Sequence, residues 1–238
     1  MSNDNIFVFE DAGLAASAAA DAFIDGALAA GSRPAGLATG RTMVPVYDHL
    51  VEAERQSEGL FARTTFSQLD EVLEKTPATN CFFKEIMDSL LSRFESDYAG
   101  FMTIDATSPN PVAEADRHHD NIQRAGGLGV QLLGIGVNGH VGFNEPGSAA
   151  DSRCRVIDLA DSTIQRDGYD AGMRGITLGI ADILAARRII LVATGAAKAT
   201  AVEAMIKGPK TIDCPASLLR DHPDIRLFLD RAAAFKLS

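Results

Sequence analysis

The side chains best suited to proton transfer lie in a glycine-rich segment, residues 134–147, with the sequence GIGVNGHVGFNEPG. His140 is followed five residues later by Glu145, and a histidine near a carboxylate can form an oriented acid–base pair. Asn138 precedes both in the same segment. The alternative is a structural loop whose histidine caps a backbone carbonyl. The glycines expected to let the backbone approach a ligand closely are Gly134, Gly136 and Gly139.

A second segment of interest is Thr39-Gly-Arg-Thr42, which lies between a predicted strand and a predicted helix. Small residues there let backbone N–H groups approach an oxyanion, and the helix N-terminus adds a favourable dipole. The alternative is an ordinary helix start capped by Thr39 or Thr42. The segment is not a P-loop, because the GxxxxGK[ST] pattern is absent.

Three further charged residues are placed where they can act on a ligand. Asp70, followed by Glu71, ends a predicted strand, where a carboxylate is well positioned for proton transfer. Lys198 lies in the first turn of a predicted helix and opposes the helix dipole, so an anionic partner would favour it. Arg174, directly before GITLG, is another candidate cation. The alternatives are an acidic pair that caps a helix and solvated surface cations.

The remaining histidines and cysteines suggest no metal site. His118 and His119 lie in a polar segment with no matching ligands, so we expect them to be solvated. The three cysteines are widely spaced and form no CxxC pattern, which argues against structural zinc and a disulfide framework. We expect Cys154 and Cys214 to be small core residues.

Composition and charge restrict the class of protein. The 238 residues are 46% hydrophobic and 23% charged, as in a globular domain with a substantial core. The net charge of −10 argues against nucleic acid as a partner. The N-terminus lacks a basic region followed by an apolar run, and the most apolar stretch, residues 189–194, is too short to span a bilayer. We expect a cytoplasmic protein without a membrane partner, either a monomer or a small homo-oligomer.

Strands and helices alternate along almost the whole chain. Strands are predicted at residues 6–9, 34–38, 64–69, 130–133, 155–159, 188–193 and 225–229. Helices are predicted at residues 11–31, 44–54, 79–94, part of 105–127, 176–186, 196–206 and 215–220. Several strands are continuously apolar, which is typical of a parallel sheet covered on both faces. The fold class is therefore α/β, a three-layer α/β/α sandwich with a doubly wound, mainly parallel, Rossmann-like sheet, in one domain over residues 1–238.

Five segments together resemble the glucosamine-6-phosphate deaminase/isomerase family, including galactosamine-6-phosphate isomerase-like members. They occur in the family's order and span roughly the whole chain: GIGVNGHVGFNEPGSAADSR, LATGRT, LDE, ATGAAKA and CPASLLRDHPD. The long histidine segment is highly specific, whereas the others are weak alone. The resemblance implies isomerisation of a 2-amino-2-deoxyhexose 6-phosphate to a ketohexose 6-phosphate with release of ammonia. It implies no metal and no organic cofactor.

The resemblance also implies roles for individual residues. Asp70 is the base that moves a proton between C2 and C1 of the sugar, and His140, oriented by Glu145 and Asn138, opens the sugar ring. The phosphate is held by Thr39, Gly40, Arg41, Thr42 and Lys198.

The chain departs from the family pattern at three positions. Asn138 stands where some relatives have aspartate, and Arg41 replaces the second glycine of a TGGT turn. An arginine that usually contacts phosphate is absent, with Tyr169 near its position, and Arg174 is the candidate replacement.

Two other functions fit parts of the pattern. A 6-phosphogluconolactonase resembles the same fold and carries a glycine–histidine segment, but it needs no carbon base such as Asp70. A non-catalytic sugar-phosphate-binding domain of a transcription regulator would carry a DNA-binding helix-turn-helix ahead of the first strand, and here that strand begins at about Ile6. We expect the deaminase, because FNEP follows the histidine and LDE follows the third strand.

Overall fold

The computed structural model describes residues 5–73 and 81–237. The strands are β1 Ile6–Phe9, β2 Ala35–Leu37, β3 Thr65–Gln68, β4 Asp70–Leu73, β5 Gly100–Met102, β6 Val130–Gly134, β7 Arg155–Asp158, β8 Arg174–Thr177, β9 Arg188–Ala193 and β10 Ile225–Asp230. The α-helices are α1 Ala12–Ala29, α2 Met43–Gln56, α3 Phe82–Ser89, α4 Pro111–Arg124, α5 Asp161–Asp167, α6 Ile180–Leu184 and α7 Ala199–Lys207. Short 3₁₀ helices cover Leu91–Arg93, Ala196–Lys198, Pro215–Asp221 and Phe235–Leu237.

Seven of these strands form the central sheet in the order β1-β10-β9-β6-β2-β3-β5. All of its strand pairs are parallel. The middle strands β6 and β9 are almost fully buried, as expected for a sheet that has helices on both faces. The predicted doubly wound α/β architecture is confirmed.

Helix α1 is long and apolar enough to cross a membrane by length and composition alone. In the structure it packs against β9, β10 and α2 instead. Its buried face consists mainly of alanines, together with Phe23, and such small side chains let a helix lie close to a sheet. It therefore has the contacts of a core helix.

A second, smaller sheet was not predicted. Strands β4, β8 and β7 pair antiparallel in that order, and Asp70 lies opposite Thr177. The prediction of a helix over residues 176–186 is wrong at its start, because Ile176 and Thr177 belong to β8 and the helix α6 begins at Ile180. The apolar residues of this short stretch fit the strand and helix periods equally well, so the pattern could not separate them.

Other differences concern element ends. The helix predicted over residues 79–94 is shorter, since α3 covers Phe82–Ser89, and residues 79 and 80 lie outside the described part of the chain. Strand β5 was missed, because a three-residue strand carries little periodic signal.

The prediction that His118 is solvated is also wrong. This side chain is fully buried on α4, and its Nε2 lies 3.0 Å from the carbonyl oxygen of Gln68. Burial lowers the pKa of His118 to about 4, so the ring is neutral at physiological pH. His119 is mostly buried as well, with its Nδ1 3.0 Å from Asp182. Cys154 and Cys214 are buried, as predicted.

Candidate active site

A cleft of about 880 Å³ lies at the carboxyl ends of the central strands. The segments that follow β2, β3, β6 and β9 all reach it, and these four strands are neighbours in the sheet. Ligands bind at this edge of doubly wound sheets. The predicted site residues that line the cleft are Thr39, Gly40, Arg41, Thr42, Asp70, Gly134, Gly136, His140 and Lys198.

His140 projects from the loop after β6 and is backed by Glu145. The Nδ1 atom of His140 lies 3.3 Å from Oε1 of Glu145, and both side chains are mostly buried. Asn138 Nδ2 donates a 2.7 Å hydrogen bond to Oε2 of Glu145, and Asn138 Oδ1 accepts from the backbone N–H of His140. Neither Asn138 nor Glu145 lines the cleft. Glu145 lies beside the imidazole, and Asn138 binds Glu145 and the backbone of His140.

Charge stabilises this arrangement. Burial opposes ionisation of Glu145, but His140, Asn138 and Thr163 outweigh burial and lower the pKa of the carboxyl group. Thr163 contributes through its hydroxyl, 3.4 Å from Glu145 Oε1. An ionised Glu145 favours the His140 tautomer that carries a proton on Nδ1 and leaves Nε2 free to exchange protons.

A glycine allows the histidine to lie where it does. A Cβ atom on Gly136 would come within 2.3 Å of the His140 ring, so any other residue there would displace the ring. The backbone also turns back on itself, since Gly136 N–H donates to the carbonyl of His140. This explains part of the glycine content of the loop.

Asp70 is the other acid–base group of the cleft. It does not end β3, as was predicted, but begins β4 after Leu69. Its side chain is buried, and burial, followed by the charges of Glu71 and Glu85, raises the pKa of Asp70 well above its usual range. A carboxylate whose charge is poorly stabilised is a stronger base, which suits proton abstraction from carbon.

The segment Thr39–Thr42 joins β2 to α2, as predicted. Thr42 is the N-cap residue of α2 but makes no side-chain capping hydrogen bond. The N–H of Gly40 donates a 2.7 Å hydrogen bond to Oε1 of Glu85, so a carboxylate already occupies this amide. The Gly40 amide therefore points toward α3 at the cleft, where an anionic side chain accepts its hydrogen bond.

Among the residues that the structure describes, cations reach the cleft from three segments, and Arg174 is not among them. Arg41, Lys84 and Lys198 line the cleft. Arg174 is exposed at the start of β8, three residues before Thr177, the strand neighbour of Asp70. Three residues of strand span about 10 Å, which places Arg174 at the far end of the small sheet. The prediction that Arg174 replaces the family's arginine is therefore not supported.

Helix α3 supplies the residues that sequence reasoning missed. Those that line the cleft are Phe82, Lys84, Glu85 and Asp88, with Cys81 just before the helix. Lys84 and Asp88 form an i,i+4 ion pair, a pattern ordinarily seen on solvated helix faces. The sequence alone does not distinguish the Lys84–Asp88 pair from an ion pair on a solvated helix face. Tyr169 and Phe143 line the cleft as well.

The fold and the cleft define a doubly wound α/β enzyme with an acid–base pair and several cations at the carboxyl ends of its strands. Among residues 5–73 and 81–237, no group of three or more histidine, cysteine or acidic side chains is arranged to hold a metal ion. Residues 10–227 match the family described as glucosamine-6-phosphate isomerases/6-phosphogluconolactonase. The chain belongs to this family.

Individual relatives agree with this assignment. The chain is 40% identical to the glucosamine-6-phosphate deaminase of Shewanella woodyi over 211 residues, 85% of this chain and 80% of the relative. It is 38% identical to that of Streptococcus thermophilus, over 88% and 90% of the two chains. A solved monomeric glucosamine-6-phosphate deaminase superposes with a TM-score of 0.90 at 30% identity, covering 97% and 99%. A 6-phosphogluconolactonase from Trypanosoma brucei reaches 0.75 at 21% identity, which shows the fold alone.

Proposed function

We propose that this enzyme converts a 2-amino-2-deoxyhexose 6-phosphate and water into a ketohexose 6-phosphate and ammonia. The observation that carries the proposal is that Asp70 and His140 line one cleft, where they follow β3 and β6, the two strands on either side of β2. The names of the relatives support glucosamine 6-phosphate as the substrate. The same chemistry applies to galactosamine 6-phosphate.

The first step is opening of the sugar ring. A proton leaves the C1 hydroxyl and a proton is delivered to the ring oxygen, so one group must exchange protons on both sides. His140 suits this role, since it lines the cleft while Glu145, itself bound by Asn138, lies beside its Nδ1 atom.

The second step moves a proton from C2 to C1. A buried carboxylate such as Asp70 removes the C2 proton, and the same group returns it to C1. The C1 aldehyde oxygen gains a proton and the amino nitrogen loses one, so the product carries a C1 hydroxyl and a C2=N double bond. Water hydrolyses this imine to the ketone and ammonia. C2 is oxidised as C1 is reduced within the same molecule, so these steps need no external oxidant or reductant and call for no metal or organic cofactor.

The phosphate would be held by Thr39, Gly40, Arg41, Thr42 and Lys198, and its position would set the distance from C2 to Asp70. The net negative charge of the protein does not attract a dianionic phosphate group, so cations and N–H donors within the cleft must bind it. Gly134, Gly136 and Gly139 would shape the loop around the sugar. We further propose that the chain is one catalytic domain, works as a monomer, like the solved deaminase it resembles, and acts in the cytoplasm.

The test is turnover of three substrates in parallel: glucosamine 6-phosphate, galactosamine 6-phosphate and 6-phosphogluconolactone. We expect equimolar ammonia and ketohexose phosphate from at least one amino sugar, without added metal and in the presence of a chelator. Asp70→Asn provides the matched inactive control. Hydrolysis of the lactone without ammonia release from either amino sugar would overturn the proposal.

A further inference from the structure

The side chain of Glu71 is fully buried and bound by four donors. Its Oε1 accepts from the backbone N–H groups of Val72 and Phe82, at 2.9 and 2.8 Å. Its Oε2 accepts from the N–H of Phe83 at 2.7 Å and from Nε2 of Gln68 at 2.9 Å. All four of these partners donate, so they require an acceptor at both oxygen positions of the side chain.

Two of these donors are the first residues of α3. The N–H groups at a helix N-terminus have no partner within the helix, and Cys81, the N-cap residue, makes no side-chain capping bond. Glu71 takes the place of a capping residue from ten positions earlier in the chain. Its negative charge also complements the helix dipole.

Helix α3 forms a wall of the cleft. Phe82, Lys84 and Glu85 line it, and Glu85 reaches the Gly40 amide of the Thr39–Thr42 loop. Phe82 stacks on Phe143 at a centroid distance of 5.5 Å. The position of α3 therefore determines where several groups in the cleft stand.

Glu71 is itself held by the central sheet. Gln68, at the end of β3, donates to Glu71 and accepts from the N–H of Ile104 at 2.8 Å. The carbonyl of Gln68 lies 3.0 Å from the buried His118 ring. A continuous chain of hydrogen bonds thus joins α4, β3, Glu71 and α3.

We propose that Glu71 is a positioning residue: it fixes helix α3 against the sheet edge next to Asp70 and so sets the affinity of the cleft for its phosphorylated substrate. The inference rests on the proposed function for the identity of that substrate. It assigns Glu71 no contact with the substrate and no proton transfer.

The test is Glu71→Gln, because an amide would point an NH₂ group at backbone N–H donors. We expect KM for the amino-sugar phosphate to rise about tenfold, while kcat falls by a smaller factor, because the charge of Glu71 also contributes to the raised pKa of Asp70. Backbone amides of α3 should exchange hydrogen faster than in the wild type. Glu71→Asp, which keeps the charge but has a shorter reach, should give an intermediate KM.

Glu54→Gln is the matched control. Glu54 is also a buried carboxylate that accepts from two backbone N–H groups, those of Glu95 and Ser96, and it does not line the cleft. We expect this variant to lose stability with an unchanged KM. If Glu71→Gln behaves like Glu54→Gln, losing stability with wild-type KM and wild-type exchange in α3, Glu71 has no positioning role.

Two measurements separate this inference from the proposed function. If Glu71→Gln does not fold, the inference is tested with Glu71→Asp, by its KM and by the hydrogen exchange of its α3 amides. Wild-type values for both overturn the inference. If the wild type turns over no amino sugar, the proposed function fails. Binding of inorganic phosphate, measured by calorimetry, then tests Glu71: weaker binding in the variant supports positioning, and equal binding rejects it.

Discussion

The carboxylate of Glu85 accepts a 2.7 Å hydrogen bond from the backbone N–H of Gly40, in the loop proposed to hold the substrate phosphate. An anionic side chain thus occupies a donor that the phosphate would use. Glu85 also lies close enough to Asp70 to raise the pKa of that carboxyl group. Glu85, a residue of α3, therefore acts electrostatically on both the Thr39–Thr42 loop and Asp70.

The first prediction concerns this contact. Glu85→Gln removes a negative charge that repels the phosphate, so we expect KM for the sugar phosphate to fall about threefold. Glu52→Gln, on the exposed face of α2, changes the net charge equally and should leave KM unaltered. An increase of KM in Glu85→Gln would mean that Glu85 supports the loop rather than competing with the ligand.

A second prediction concerns the cations. We expect Lys84→Met to raise KM about fivefold to tenfold, since Lys84 lines the cleft, with little change in kcat. Arg174→Met removes an exposed cation at the far end of β8 and should leave KM unchanged. The opposite result, a KM effect from Arg174 alone, would return Arg174 to the phosphate site.

Asp70→Asn should remove turnover and at the same time stabilise the fold. We expect a loss of kcat of about 10³-fold or more, because an amide cannot accept the C2 proton. The raised pKa of Asp70 means that the folded state disfavours its ionised form.

The size of this stability gain depends on pH. Above the raised pKa the ionised Asp70 lowers the free energy of unfolding, and below the ordinary aspartate value of about 3.9 this cost disappears. Asp70→Asn should therefore exceed the wild type in melting temperature near pH 7, and the difference should shrink as pH falls toward 4. Equal melting curves across that range would contradict a destabilising Asp70.

The last prediction tests the histidine pair. Glu145→Gln keeps the shape of the side chain but removes the charge that orients His140, so we expect kcat to fall about tenfold to a hundredfold. KM should change little, because Glu145 does not line the cleft. Thr163→Val, which removes only the 3.4 Å contact, should have a much smaller effect. Equal losses in both variants would point to disruption of the loop instead.

Much of the fold followed from local patterns. The apolar runs at β6 and β9 predicted buried parallel strands, since only a sheet covered on both faces accommodates such runs. The glycine-rich segment predicted a ligand loop after β6, and His140 indeed lines the cleft there. Strand β8 escaped prediction because it is only four residues long, and Ile176 together with Leu178, just after the strand, does not distinguish the strand period from the helix period.

The sequence by itself determined which residue types stand after each strand, and with them the acid–base and oxyanion-binding chemistry. Only the tertiary structure decided which of the charged residues share the cleft. Arg174 and Lys84 are both ordinary cations in the sequence, yet antiparallel pairing in the small sheet takes Arg174 away and packing of α3 brings Lys84 in. Burial and hydrogen bonding between distant segments set these positions and the pKa of Asp70, and local sequence patterns carry no record of either.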